Sequence, residues 1–216
     1  MKFEILIVII CMLLILNGIS LAGMYTSHIS FNNGMEFVGV AHIGSHTYWD
    51  RVASILEGAT VIYEAVPRGT GLDPIMDDYR NLALHTNTIF QEDGLDYLVD
   101  NPDWILSDTT YEELITWYPE KDLKAMSKQV AGLKNLPWLL NRWLFGFMAF
   151  WETNFGSDPL VTGRNKKPVH DAIKAHYGGK KARTVILYGQ AHRRGIVELL
   201  REYRGHIQSE KYYFNF

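Results

Sequence analysis

Cysteine is nearly absent from this chain: of 216 residues only Cys11 is one, and it lies in an N-terminal apolar stretch. The remainder therefore contains no disulfide and no thiol nucleophile. Export stays open, because exported proteins also fold without disulfides. There is no His-Glu-x-x-His run and no paired-cysteine motif, so a local zinc signature is missing. A Gly-x-Ser-x-Gly elbow is missing as well, which leaves Ser45 without the setting of a serine hydrolase nucleophile. The formal net charge is only -3, so no excess of positive charge attracts nucleic acid.

The charges that are present are unevenly placed. From Asp73 to Lys121 there are twelve acidic side chains and two basic ones, whereas from Leu160 onward there are twelve basic and four acidic. Two differently charged faces account for this, and a basic rim attracting an anionic substrate is the more specific reading. The hydrophobic set makes up 47% of residues and charged residues 21%, as in ordinary globular proteins.

The N-terminus has a leader character. Ile5 to Leu16 is unbroken apolar sequence, and Ser20-Leu21-Ala22 supplies small residues before a cut. Extended through Met24, the stretch also reaches the roughly 20 residues needed to span a bilayer. Residues 1–22 are thus expected to be a signal peptide cleaved after Ala22, or else a retained membrane anchor. Either way, the domain is expected outside the cytoplasm: secreted, periplasmic or membrane-anchored. Residues 24–216 are expected to form a single domain.

Along that domain, residues 24–34 read as a polar lead-in. Met35 to Ala41 is a strand candidate, Thr47 to Leu56 a helix, and Thr60 to Ala65 a second strand in which Glu64 is the polar exception. Pro67-Arg68-Gly69-Thr70-Gly71 breaks the chain, and Leu72 to Leu84 reads as a helix. Helical patterns dominate about 91–156, including an apolar segment from Leu136 to Trp151, and Ser107 to Glu113 offers helix-start chemistry. Lys167 to Tyr177 is helical, Thr184 to Tyr188 a strand, Arg194 to Tyr203 an amphipathic helix, and Tyr212 to Phe216 a last strand. The expected fold is α/β: a central, mainly parallel sheet formed by both chain ends, with a helical insertion.

One pattern occurs twice. Phe37-Val38-Gly39-Val40-Ala41-His42 and Val185-Ile186-Leu187-Tyr188-Gly189-Gln190-Ala191-His192 each run from apolar strand residues through a glycine to a histidine three positions on. Strands ending this way deliver side chains to the carboxyl edge of a sheet, where open α/β folds hold their sites. Two such edges can bring His42 and His192 to one cleft, and Glu64 likewise stands in or directly after a predicted strand. Neutral imidazole and carboxylate are competent ligands for zinc, manganese or cobalt. The glycines allow either a tight turn or close backbone approach. His46 adds to the local histidine density.

On these residues the chain resembles the TraB/PrgY/GumN group, which includes the TIKI Wnt-inactivating proteins. The resemblance rests on the paired Gly-x-x-His motifs, Gly39 to His42 and Gly189 to His192. It also rests on Glu64 closing the second strand, Arg164-Asn165 before the Pro168 helix, and Gly195 after His192. It covers about 35 to 90 and 160 to 205. It implies the α/β arrangement of erythromycin-esterase-like and haem-uptake ChaN-like proteins. It further implies a divalent metal at His42, Glu64 and His192, and catalytic roles for Glu64 and Arg164. Glu64 then serves as ligand or as general base. Arg164 pairs with a carboxylate near the metal, clamps a substrate anion, or joins the insertion to the sheet; Arg68 can rim the cleft.

Two functions follow as expectations. One is a metal-dependent hydrolase, a peptidase among the candidates, acting on a peptide or small-molecule substrate. The other is a non-enzymatic sensor that binds a small ligand or haem, with His42 or His192 as the axial ligand.

Overall fold

The computed structural model describes residues 25–64, 73–95, 101–133, 135, 159–178, 183–203 and 205–214. The leader with Cys11, Arg68, and the apolar segment from Leu136 to Trp151 lie outside the described residues.

The fold is mixed α/β around a six-stranded, mainly parallel sheet in the order β6-β4-β7-β2-β1-β8. Its strands are β1 (Tyr25–Phe31), β2 (Met35–Val40), β4 (Thr60–Tyr63), β6 (Trp104–Leu106), β7 (Thr184–Gly189) and β8 (Ile207–Phe214). β7 pairs in parallel with both β2 and β4, and β4 in parallel with β6. β1 runs antiparallel to β2 and to β8. A strand from the last third of the chain is thus inserted between two from the first. A separate two-stranded sheet joins β3 (Ile43–Gly44) to β5 (Ile89–Phe90).

The sheet is buried on both faces, and side-chain alternation sorts its residues between them. Phe37, Ile62, Ile186 and Tyr188 face one core with Ile29, Met35 and Phe31. That core is closed by α7 (Lys166–Tyr177), through Val169 and Ala172, and by α8 (Arg193–Glu202), through Ile196, Val197 and Leu200. Val38, Val40, Val61, Val185 and Leu187 face the other core. There α1 (His46–Leu56) presents Tyr48, Trp49, Val52 and Leu56, the spacing of one helix face. Ser45 caps α1 by accepting the Tyr48 N–H at 3.3 Å, and Gly58, at φ +72°, sits in the left-handed region just past its end.

The remaining helices lie between β4 and β7 in sequence: α2 (Asp73–His85), α3 (Gln91–Gly94), α4 (Tyr111–Trp117), α5 (Glu120–Leu133) and α6 (Pro159–Thr162). Thr110 and Glu113 form a reciprocal capping box at the start of α4. Among the described residues, no helix is long and apolar enough to cross a membrane.

The structure departs from the sequence-based expectation in three places. The supposed lead-in is β1. Its strand character is masked by Thr26, Ser27, His28 and Ser30, while Asn33-Gly34 marks the hairpin to β2, with Gly34 at φ +85°. The helical middle contributes β6, a three-residue edge strand too short for a periodic signal. The last strand begins at Ile207, ahead of the aromatic run from Tyr212.

Candidate functional site

The sheet order puts the carboxyl ends of β2, β7, β4 and β6 in a row, neighbouring strands being roughly 4.8 Å apart. In register, Val40 stands beside Gly189, and Glu64 continues β4 by donating its N–H to the Leu187 carbonyl at 3.1 Å. Each strand end delivers a polar residue: His42 after β2, His192 after β7, which Gly189 ends, Glu64 after β4, and Asp108 after β6.

Three expected site residues converge on Gly189. A Cβ added there would lie 3.1 Å from Glu64 Oε2, 3.6 Å from His192 Cδ2 and 3.7 Å from His42 Nε2. Glu64 Oε2 accepts the Gly189 N–H at 2.6 Å, and Glu64 Oε1 lies 3.7 Å from His192 Nε2. Glu64 and His192 are buried, at 8% and 4% exposure, whereas His42 is only partly buried and forms the more open side.

Arg164 joins the same group. Its Nη2 donates to Glu64 Oε1 at 2.7 Å, and its Nε to Asp108 Oδ1 at 2.9 Å, with a second bond from Nη2 to Asp108 Oδ2. Of the roles anticipated for Arg164, its bonds fit both pairing with carboxylates and joining the insertion, through Asp108, to the sheet, through Glu64. Asp108, which sequence reasoning missed, is held further by the Thr109 N–H at 2.6 Å, while Lys167 Nζ bonds its carbonyl at 2.7 Å. Tyr188 donates its hydroxyl to the Ser107 carbonyl, and Ser107 donates to Asp171 at 2.6 Å.

Two amides back the histidines. His42 Nδ1 lies 3.1 Å from Gln91 Oε1, and His192 Nδ1 lies 2.7 Å from Asn165 Oδ1. Gln91 reaches His42 because β5 pairs with β3, and its own N–H also bonds the His42 carbonyl at 2.8 Å. Asn165 reaches His192 because Gly195 leaves it room: a Cβ on Gly195 would sit 2.1 Å from Asn165 Nδ2. Gly39 serves close approach in the same way, since a Cβ there would meet Gln190 Oε1 at 1.8 Å. The φ angle of Gly189 is −50°, which any residue adopts, so the motif glycines Gly39 and Gly189 make room and are not needed for a left-handed turn. His46 is exposed in the first turn of α1, Ser45 is spent as its cap, Arg194 pairs with Glu198 in solvent, and Arg193 pairs with Glu210.

The electrostatics separate these groups. Burial opposes ionisation of Glu64, but Arg164, then the two histidines and the Gly189 N–H, hold its carboxyl well below the usual carboxylate range. Burial pushes Asp108 up, against the pull of Arg164. Burial also works against the charge of Arg164, but Glu64 and Asp108 keep it firmly protonated. His192 falls to about 4, chiefly through burial and against the attraction of Glu64, so it is neutral near pH 7. The arrangement is thus two imidazoles beside an arginine shared by two carboxylates.

The imidazoles suit a divalent metal, because each has its Nδ1 engaged and its Nε2 on the site side. Glu64 does not: both its oxygens are engaged, and the guanidinium at 2.7 Å repels a second cation. Among the described residues, no group of three His, Cys, Asp or Glu side chains is arranged to hold a metal ion. The expected ligand residues His42, Glu64 and His192 thus come together, with Glu64 already bonded to Arg164 and to the Gly189 N–H. Comparison with protein-family models, with curated proteins and with solved structures gives no match for this chain.

Proposed function

We propose that this protein is a hydrolase that activates water at the His42–His192 pair and attacks a carbonyl substrate, peptide bonds being the class the TraB/GumN resemblance implies. One observation carries the reading: His42 Nε2, His192 Cδ2 and Glu64 Oε2 all lie within 3.7 Å of a single point above Gly189. In this reading His42, the more accessible imidazole, takes a proton from water through Nε2 as the oxygen adds to the carbonyl carbon. The same proton passes to the leaving group when the carbon–heteroatom bond breaks. Glu64 stabilises the positive charge that develops on the imidazoles, and Arg164 keeps Glu64 ionised and in place. The export expectation is consistent with a substrate outside the cytoplasm.

The test is a panel of chromogenic esters and peptides hydrolysed by wild type, His42→Ala, His192→Ala and Glu64→Gln. Each assay is run with chelator and with added manganese, cobalt or zinc. Loss of about 10²–10⁴ in kcat/KM in His42→Ala, with chelator inert, supports general-base chemistry. Turnover equal to wild type in both histidine variants overturns it. Stoichiometric metal in the purified protein, lost in both variants, restores the metal-dependent reading. A visible haem spectrum lost in either one supports the sensor alternative.

A further inference from the structure

We propose that Gln91 and Asn165 are a matched pair of positioning residues that fix one tautomer in both site histidines: proton on Nδ1, lone pair on Nε2. The inference deepens the hydrolase reading, because it names what readies His42 and His192 to accept a proton.

An amide oxygen can only accept a hydrogen bond. A ring nitrogen 3.1 Å from Gln91 Oε1, or 2.7 Å from Asn165 Oδ1, must therefore carry the hydrogen. A neutral imidazole has one N–H, so its other nitrogen, Nε2, is left as an acceptor. In His42 that nitrogen faces Gly189, and in His192 it faces Glu64 Oε1 at 3.7 Å. Each amide is held against its ring by its surroundings. The opposite end of Asn165, Nδ2, lies against Gly195, where an added Cβ would sit 2.1 Å away. Gln91 is fixed by its backbone bond to the His42 carbonyl and by the β3–β5 pairing, which Trp49 anchors through Nε1–H to the Ile89 carbonyl at 3.1 Å.

The choice of amide has a chemical consequence. A carboxylate at either place would also accept from Nδ1, but its charge would favour a doubly protonated ring without a lone pair. An amide orients the ring without adding charge. Glu64 already supplies negative charge on the Nε2 side, so neutral backing keeps the pair able to accept protons.

The experiment is ¹H–¹⁵N imidazole correlation NMR at pH 7.5 on the full chain labelled at histidine. His42 and His192 are assigned from spectra of His42→Gln and His192→Gln. Wild type is expected to show both rings with the proton on Nδ1 and a bare Nε2. Gln91→Leu should lose the Nδ1–H signal of His42 alone, and Asn165→Leu that of His192 alone. Gln91→Glu and Asn165→Asp keep an acceptor and should retain it; loss in the leucine variants is the outcome a merely space-filling role would not predict. Should the leucine variants fail to fold, Gln91→Asn, one methylene too short to reach Nδ1, carries the same expectation as Gln91→Leu. A wild-type Nε2–H on either ring, or an unchanged tautomer once the amide is withdrawn, overturns the proposal. The measurement needs no substrate, so failure of the hydrolase reading and failure of this one are told apart.

Discussion

Glu64 and Gly189 are joined by a hydrogen bond of 2.6 Å between residues 125 apart in sequence, the backbone N–H donating to Oε2. It ties the carboxylate at the end of β4 to the glycine that ends β7. A Cβ on the same glycine would crowd that oxygen at 3.1 Å and touch both imidazoles at ordinary contact distance.

Breaking the ion-pair group should be costly in a graded way. Arg164→Met leaves Glu64 and Asp108 buried without their shared cation, and a loss of about 3–5 kcal/mol is expected. Arg164→Lys recovers only part, because a point charge cannot reproduce the side-on bonds to Asp108. Urea unfolding of both variants checks this. A loss under about 1 kcal/mol for Arg164→Met, the range of exposed pairs, would show that the group is not buried as described.

Acid should destabilise the fold in two stages. His192 is lowered from 6.5 to about 4, so between those values the unfolded chain binds a proton that the folded one refuses. Stability is full above pH 6.5 and falls as pH drops toward 4, by a term on the order of 3 kcal/mol. Glu64, also depressed, adds a further loss below the ordinary carboxylate range. Chemical denaturation from pH 7.5 to 4 should therefore slope downward, and His192→Gln should flatten the upper part of that slope. An identical slope in the variant would remove His192 as its source.

Two glycine substitutions should separate the two kinds of close approach. Gly39→Ala places a Cβ 1.8 Å from Gln190 Oε1 and expels the amide from Ser27, whose N–H and hydroxyl both donate to it at 3.1 Å. About 1–3 kcal/mol should be lost, with the histidine rings undisturbed. Gly195→Ala pushes Asn165 away from His192 and should remove the Nδ1–H signal of that ring. Thermal denaturation and imidazole NMR on both variants are the check; the reverse pattern would refute it.

Deleting residues 1–22 is expected to leave a cooperative unfolding transition, since β1 begins at Tyr25 and pairs with β2 and β8. Deleting residues 1–33 as well removes β1 and leaves the facing edges of β2 and β8 unpaired, so cooperativity should disappear. Circular dichroism melts of the two truncations measure this. Loss of the transition in the shorter deletion would make the leader part of the fold and count against export.

By itself the sequence determined the elements whose signal is local. Apolar periodicity marks β2, α1, β4, α7, β7 and α8 to within about two residues, and the repeated Gly-x-x-His, with Glu64, points to the carboxyl edge of a sheet. Strand 1 and strand 6 escaped it because one is rich in Ser, Thr and His and the other spans three residues. Tertiary structure decided what those ends meet. Gln91 and His42 are 49 residues apart, Asp108 and Arg164 are 56, and Asn165 and His192 are 27. Nothing in the spacing of a lone Gln, Asp or Asn says which partner it will find. That depends on β7 entering between β4 and β2, a choice set by burying Val185, Ile186, Leu187 and Tyr188 on both faces of the sheet at once.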